Sequence, residues 1–432
     1  MDVLHVDANS AYLSWSATWL LEKGYGTDIR EIPAVIAGDP DNRHGIILAK
    51  SQLAKKFGIS TGESLMEARE KCPDLFVYPP DYDLYLSCSN SMYKILKSYT
   101  DKVERYSIDE CFLDISHLVD TGYNPVKLAY EIQAKIFNNL GFTVNVGVST
   151  NKLLAKMAGE IEKPNKVITL YKEEIPKKLW PLPVEELFMV GRASKKKLNA
   201  MGIFTVGQLA KTEPMHLKAV LKSHGILVWE YANGIDNSRV CDIDEVAPKS
   251  IGNSITIWYD VTKYEEAKMI LYSLCERTCQ RLRHQEMRAN LVGIRVKYAS
   301  FLSYTHQEKL RSSLCTTYDI YTVACRLLKN SWDGNPIRQL GIWVGELSDN
   351  EAVQLSLFNQ ESLDKNEKID KTIDKVREKF GEQAVIKGCF ANSDFDPMLG
   401  GTNDGNYIMM GGHASENSSK TYRYNCSVQQ RK

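Results

Sequence analysis

The sequence predicts an α+β chain of several domains, and three observations predict it. Its 432 residues exceed what one core serves at roughly 100–200 residues per domain. Short strand-like runs alternate with amphipathic helical stretches up to residue 170. The pattern turns mainly helical over 171–240 and mixed again over 248–348. Charge shifts at the same places. The net charge is zero, yet residues 1–170 are net acidic (18 basic, 22 acidic), while 171–240 (11 basic, 7 acidic) and 248–348 (14 basic, 9 acidic) are net basic. Phosphate backbones attract local basic surface rather than global charge, so two modules of this chain suit such a partner. The plain alternative is ordinary surface variation.

Composition narrows the classes. At 43% hydrophobic and 25% charged, a mostly disordered chain is excluded. No apolar run approaches the ~20 residues of a membrane span, so no membrane partner is expected. Asp2 and Asp7 stand where a secretory signal carries basic residues. Ten cysteines without a Cys-x-x-Cys pair read as reduced core thiols of a cytosolic protein, not as a disulfide frame or zinc site.

The elements follow in order. Met1–Val6 alternates like a buried strand and ends at Asp7. Residues 45–57 read as a strand then a helix, and Asp81–Tyr99 as an amphipathic helix. Val103–Tyr106 and Cys111–Ile115 are short strands around Ser107-Ile108-Asp109-Glu110, which reads as a hairpin. Pro125–Leu140 is helical, Thr143–Val148 a strand, Lys152–Ile161 a helix stopped by Pro164, and Val167–Leu170 a strand. This order fits helices on one face of a sheet. Farther on, Ser254–Tyr259 and Leu291–Tyr298 are strands around the helix Tyr264–Arg283. Residues 237–247 read as a linker. Leu363–Gly381 is a charged helical pattern, and 391–432, rich in Gly, Asn and Ser, reads as disordered.

Three acids carry the chemistry. If the hairpin lies beside the first strand, Asp7, Asp109 and Glu110 meet at one sheet edge. Adjacent strand residues face opposite ways, but a turn relaxes that rule. Three such carboxylates repel one another unless cations hold them, and oxygen donors select Mg²⁺ or Mn²⁺. The alternative is that Asp109 and Glu110 are turn acids and Asp7 caps a helix. Spacing alone leaves both open.

The motifs His5-Val6-Asp7-Ala8-Asn9-Ser10-Ala11-Tyr12 and Ser107-Ile108-Asp109-Glu110 are followed by Gly147-Val148-Ser149-Thr150-Asn151-Lys152 and Lys163-Pro164-Asn165. With Gly45–Gly58, this set resembles the Y-family (translesion) DNA polymerases over roughly residues 1–350. Asn9, where many members have a second Asp, and Ala49-Lys50-Ser51 resemble the UmuC-like, error-prone branch.

The resemblance implies a right-hand polymerase. Its ferredoxin-like palm would be 1–10 and 81–170, its small fingers 11–80 and its helix-hairpin-helix thumb 171–240. A linker at 241–247 would precede a mixed α/β little finger at 248–348, then a largely flexible tail at 349–432. Asp7 and Asp109 would bridge two Mg²⁺ ions (Mn²⁺ as substitute), Glu110 would hold the one that activates the primer 3′-OH, and the Ala8 carbonyl would add a ligand. Lys55 and Lys163 would contact the incoming triphosphate, and Tyr12 would be the steric gate against a 2′-OH. The plain readings are a solvated helix face for Lys55, a helix C-terminus for Lys163 and a core aromatic for Tyr12, at i, i+3, i+7 with Trp15 and Trp19. Relatives often carry Arg at Lys55, and Thr and Tyr at Ala49 and Gln52, so bidentate phosphate gripping is in doubt.

The DNA-binding candidates are Gly191, Arg192, Lys195, Lys196 and Lys197, where a Gly turn opens a helix whose backbone N–H groups can meet phosphate. Lys249, Arg295 and Lys297 are candidates on the little finger. Gln354-Leu355-Ser356-Leu357-Phe358 resembles the bacterial sliding-clamp peptide, with Gln354, Leu355, Leu357 and Phe358 as contacts. The implied partners are primer–template DNA, dNTP, the clamp, and in some UmuC-like enzymes an accessory subunit and a recombinase filament. The implied place is the bacterial cytoplasm at the nucleoid, in DNA repair and SOS mutagenesis. The rival reading is a catalytically weak or inactive replication-fork scaffold.

Overall fold

In a computed structural model, the structure describes residues 1–40, 43, 45–241, 248–349, 360–391 and 398. They divide into two compact units. One takes the described residues of 1–37 and 47–241, the other those of 38–46 and 248–398.

The first unit begins with β1 (Val3–Ala8) and α1 (Ala11–Glu22). A small three-stranded sheet follows, made of β2 (Ala34–Ala37), β3 (Ile47–Lys50) and β4 (Phe76–Tyr78) in the order β3-β2-β4. Between β3 and β4 lie α2 (Gln52–Lys56) and α3 (Leu65–Lys71). Ser51 starts α2 by accepting from the Ala54 N–H, and a Ser64–Glu67 capping box starts α3. Next come α4 (Tyr82–Lys97), β5 (Val103–Arg105), β6 (Glu110–Asp114), α5 (Ser116–Asp120), α6 (Pro125–Leu140), β7 (Val144–Ser149), α7 (Lys152–Ile161) and β8 (Val167–Thr169). The bounds of α6 and α7 are those expected, and Asn124 and Asn151 cap them, with Pro125 opening α6.

The larger sheet runs β5-β6-β1-β7-β8, with β1 antiparallel to both neighbours. Leu4, Val6 and Ala8 point to one face, where α4 and α6 bury them with Met92, Leu128 and Ile132. The opposite residues, Val3, His5 and Asp7, share the other face with α7. The expectation of helices on one face is therefore corrected. α7 packs so closely that a Cβ at Gly147 would stand 1.9 Å from the Ala155 carbonyl oxygen. Its Leu153, Leu154 and Met157 meanwhile join a separate helical core with Ile175, Leu198 and Val228. A helix with two apolar partners belongs to two layers, which its own periodicity does not reveal.

That helical module holds α8 (Ile175–Lys178), α9 (Arg192–Ala200), α10 (Val206–Lys211), α11 (Pro214–Leu221) and α12 (Ser223–Ala232).

The second unit is built from β9 (Ser250–Val261), α13 (Tyr264–His284), β10 (Met287–Tyr298), β11 (Ser303–Leu314), α14 (Thr317–Ser331) and β12 (Ile337–Asp349). Its antiparallel sheet runs β11-β10-β12-β9, and α13 and α14 bury Ile294, Val296, Leu340 and Val344 on one face. By alternation, Arg295, Lys297 and Trp343 stand on the other.

The expectation of a largely flexible tail fails for α15 (Gln360–Phe380), which docks on the second unit through ion pairs. Arg283 grips Asp374 through Nε (2.6 Å) and Asp370 through Nη1 (3.0 Å). Arg377 reaches Glu276 at 2.9 Å and Arg288 reaches Glu367 at 2.5 Å. The charged helical pattern was legible, but its partners lie about a hundred residues away. Gln354, Leu355, Leu357 and Phe358 lie outside the described residues, as does most of 241–247.

Candidate active site

β1 ends where β6 begins. Asp7 pairs with Glu110 across the antiparallel ladder, and the Ala8 N–H donates to the Asp109 carbonyl at 3.0 Å. The turn from Tyr106 to Asp109 is closed by Ser107. Its Oγ donates to Asp109 Oδ1 (2.6 Å) and accepts from the Glu110 N–H (3.1 Å). Asp109 thus leaves the strand alternation while Glu110 starts it, and all three carboxylates line one cavity of about 520 Å³.

Asp7 is not a helix cap, because Ser10 opens α1 without a side-chain bond. Of the other predicted residues, Ala8, Tyr12, Lys55 and Lys163 line the same cavity, as do Ala49 and Gln52. Tyr12 also packs against the core and stacks on Tyr85, as a core aromatic does.

Each acid has its own partner. Lys163 Nζ lies 2.6 Å from Asp7 Oδ2 and 2.9 Å from Glu160, rather than on helix carbonyls. Burial raises Asp7 to about 7, outweighing the Lys163 charge, with Glu110 and Asp109 adding repulsion. Burial raises Asp109 as well, against the Ser107 hydrogen bond. Glu110 goes the other way. Burial opposes its ionisation, but His5 and Lys156 outweigh burial and hold it at about 2.

The sequence analysis missed those two groups. Lys156 Nζ lies 2.7 Å from Glu110 Oε2, and its ammonium sits over the Tyr106 and Phe188 rings. His5 Nε2 lies 3.4 Å from the same oxygen. Burial lowers the His5 pKa. A neutral ring protonated at Nε2 leaves Nδ1 bare, which suits its buried, partnerless position among the described residues. The available signals were a lysine on the sheet-facing side of α7 and a histidine two residues before Asp7.

Among the described residues no three His, Cys, Asp or Glu side chains already form a cation cage. The donor chemistry nevertheless fits hard cations. Three carboxylates face one cavity, and burial makes the most buried of them resist ionisation even beside Lys163.

Farther away, Gly191 opens α9 after the turn Leu187–Val190, and Arg192, Lys196 and Lys197 are exposed. Lys195 instead pairs with Glu185 at 2.6 Å. In the second unit, Arg295 and Trp343 line a groove of about 320 Å³ floored by Gly252 and Gly341. No helix among the described residues is long and apolar enough to cross a membrane.

Residues 6–160 match the impB/mucB/samB family, and 248–357 match that family's C-terminal domain. The chain is 47% identical over 393 residues to DNA polymerase IV of Clostridium acetobutylicum, covering 91% of this chain and 98% of that protein. It is 36% identical over 391 residues to DNA polymerase IV 2 of Bacillus subtilis, covering 89% and 93%. Among solved structures, a Y-family DNA polymerase chimera of Dbh and Dpo4 superposes with a TM-score of 0.70 at 21% identity, over 81% of this chain and all of the other. A Dbh ternary complex gives 0.56 at 21% identity, over 80% and 99%.

Proposed function

This chain belongs to the impB/mucB/samB family of Y-family DNA polymerases and is a DNA-directed DNA polymerase; from that premise, we propose that it carries out low-fidelity synthesis across damaged DNA. One observation carries the chemistry. Asp7, Asp109 and Glu110 face a single cavity that also exposes Tyr12, Lys55 and Lys163.

In this reading Asp7, Asp109, Glu110 and the Ala8 carbonyl hold two Mg²⁺ or Mn²⁺ ions. Ions held there would supply Lewis-acid activation of a primer hydroxyl and charge neutralisation at the phosphates. The side chains do the rest. Lys163 leaves Asp7 for the triphosphate, and Lys55 reaches it from α2 as a point charge. Tyr12 lies where the sugar sits and excludes a 2′-OH. His5 and Lys156 keep Glu110 ionised. No side chain is needed as general base where positioning and charge dominate.

The palm, fingers, thumb and little finger keep the bounds given above. Gly191, Arg192, Lys196 and Lys197 meet phosphate at the thumb, with Lys195 after it leaves Glu185. The open sheet face with Arg295 and Lys297 takes duplex backbone. Gln354, Leu355, Leu357 and Phe358 tether the enzyme to the sliding clamp, which raises its effective concentration at the primer end. The UmuC-like branch, with an accessory subunit or recombinase filament, remains a proposal resting on Asn9 and Ala49-Lys50-Ser51, beside relatives that carry the name DNA polymerase IV. A bacterial, nucleoid-associated enzyme is the corresponding location. The rival scaffold reading is disfavoured by the intact acid trio.

The test is Mg²⁺-dependent extension of a primed template by the purified chain, beside Asp109→Ala and Glu110→Ala. Extension lost in both variants supports the site. Extension that survives them sinks it. A parent chain that binds DNA and clamp but does not extend favours the scaffold.

A further inference from the structure

We propose that Asn9 and Asn145 act together as a positioning pair that sets Lys163 for the incoming triphosphate; this rests on the reading of Lys163 as a triphosphate contact. Lys163 lies in the segment between α7 and β8, which has no regular structure to hold it. The two asparagines hold it instead. Asn145, fully buried on β7, donates from Nδ2 to the carbonyls of Gly159 (2.9 Å) and Glu162 (2.6 Å). Its Oδ1 accepts from the Lys166 N–H (3.2 Å) and from Asn9 Nδ2 (3.1 Å). Asn9, buried after β1, accepts at Oδ1 from the Asn165 N–H (2.9 Å) and the Thr143 hydroxyl (3.0 Å).

Four backbone groups around Lys163 are thereby fixed, those of 159, 162 and 166 to β7 and that of 165 to the residue that follows β1. This chemistry has one solution. Two carbonyls facing Asn145 demand its NH₂ group there, and the N–H of Asn165 demands the carbonyl oxygen of Asn9. An aspartate at 145 would set a carboxylate against two carbonyl oxygens. An aspartate at 9 would lose the donation to Asn145 and set one carboxylate oxygen against its Oδ1. The pair therefore works as two amides, and Asn9 turns away from the carboxylates rather than joining them.

A loop released on one side shifts an ammonium by an ångström or more, and such a displacement costs about 10- to 100-fold in a positioned reaction. The loss falls on nucleotide use and not on DNA binding. The experiment is single-nucleotide incorporation with Asn145→Ala, Asn9→Asp and Lys163→Ala, alone and combined. Asn145→Ala should raise the dNTP KM about tenfold, and Asn9→Asp by less. Primer–template Kd should stay within about twofold of the parent. In the Lys163→Ala background both asparagine effects should vanish, because the same contact is already gone. Full additivity there, or an unchanged KM in folded Asn9→Asp and Asn145→Ala, overturns the proposal. Lysine acylation read by mass spectrometry separates the premises. Unaltered Lys163 labelling in Asn145→Ala overturns the positioning pair itself. A dNTP KM unmoved by Lys163→Ala overturns the triphosphate role on which it rests.

Discussion

Tyr12 lies face to face on Tyr85, with ring centroids 4.3 Å apart and planes within 6°. Tyr85 is fully buried and its hydroxyl is 3.0 Å from that of Ser16. Burial lifts its pKa to about 12. A fixed ring therefore backs the proposed gate from the side away from the cavity, and stacking restrains Tyr12 from tilting aside.

Two substitutions of different severity follow from that pair. Tyr12→Ala removes the gate and should raise ribonucleotide relative to deoxyribonucleotide kcat/KM on the order of 100-fold. Tyr85→Leu keeps Tyr12 but removes its backing, and should raise the same ratio about fivefold. Equal discrimination in all three proteins would remove Tyr12 from the sugar site.

The metal-free protein should lose stability as pH rises from about 4 to 7. Asp7 sits near 3.8 when unfolded and at about 7 when folded. The folded state therefore binds the extra proton in that window, so the slope of stability against pH is negative there. The change is on the order of 3 kcal/mol. Glu110, depressed to about 2, acts in a different window, its stabilisation being lost as pH falls from about 4.5 through 2. Thermal unfolding in EDTA at pH 5 and pH 7.5 checks this, with Asp7→Asn expected to flatten the profile between them.

Gly147→Ala should unfold or badly loosen the first unit. The added Cβ would meet the Ala155 oxygen at 1.9 Å and the Gly159 nitrogen at 2.7 Å, both backbone atoms that cannot rotate away. Helix α7 would have to lift off β7, moving Lys156 from Glu110, at a cost of about 3 kcal/mol. A variant with parental urea denaturation and parental extension rate would show that this contact is not needed.

The sequence disclosed what depends on local order. The helical pattern and Pro164 placed α6 and α7, and the turn between two β runs put Asp109 and Glu110 together while leaving their meeting with Asp7 conditional on strand pairing. What it concealed depends on pairing at a distance. Lys156 reads as one more helix lysine until α7 is seen to lie on the face of β1 that carries His5 and Asp7. Asn9 reads as a missing aspartate until Asn145, 136 positions on, supplies the acceptor for its amide. The short strands β2 and β4 were missed because neither alternates: β2 is buried throughout and β4 is half-buried throughout.

Helix α15 offers the most demanding test of such long-range pairing. Arg283 is 7% exposed and spends its guanidinium on Asp374, Asp370, the Cys315 carbonyl and the Thr317 hydroxyl. Arg283→Met would leave two buried carboxylates without a counter-charge, and should destabilise the second unit by about 3–5 kcal/mol. The cost comes mainly from stranding the acids, not from losing an attraction, so removing the acids as well should reverse most of it. The triple variant Arg283→Met, Asp370→Leu, Asp374→Leu should regain stability to within about 1–2 kcal/mol of the parent. Urea unfolding of the variants beside the parent, followed by far-ultraviolet circular dichroism, reads both. A single variant as stable as the parent would mean that α15 is not held by these pairs. A triple variant no better than the single would mean that the pairs contribute net attraction beyond their desolvation.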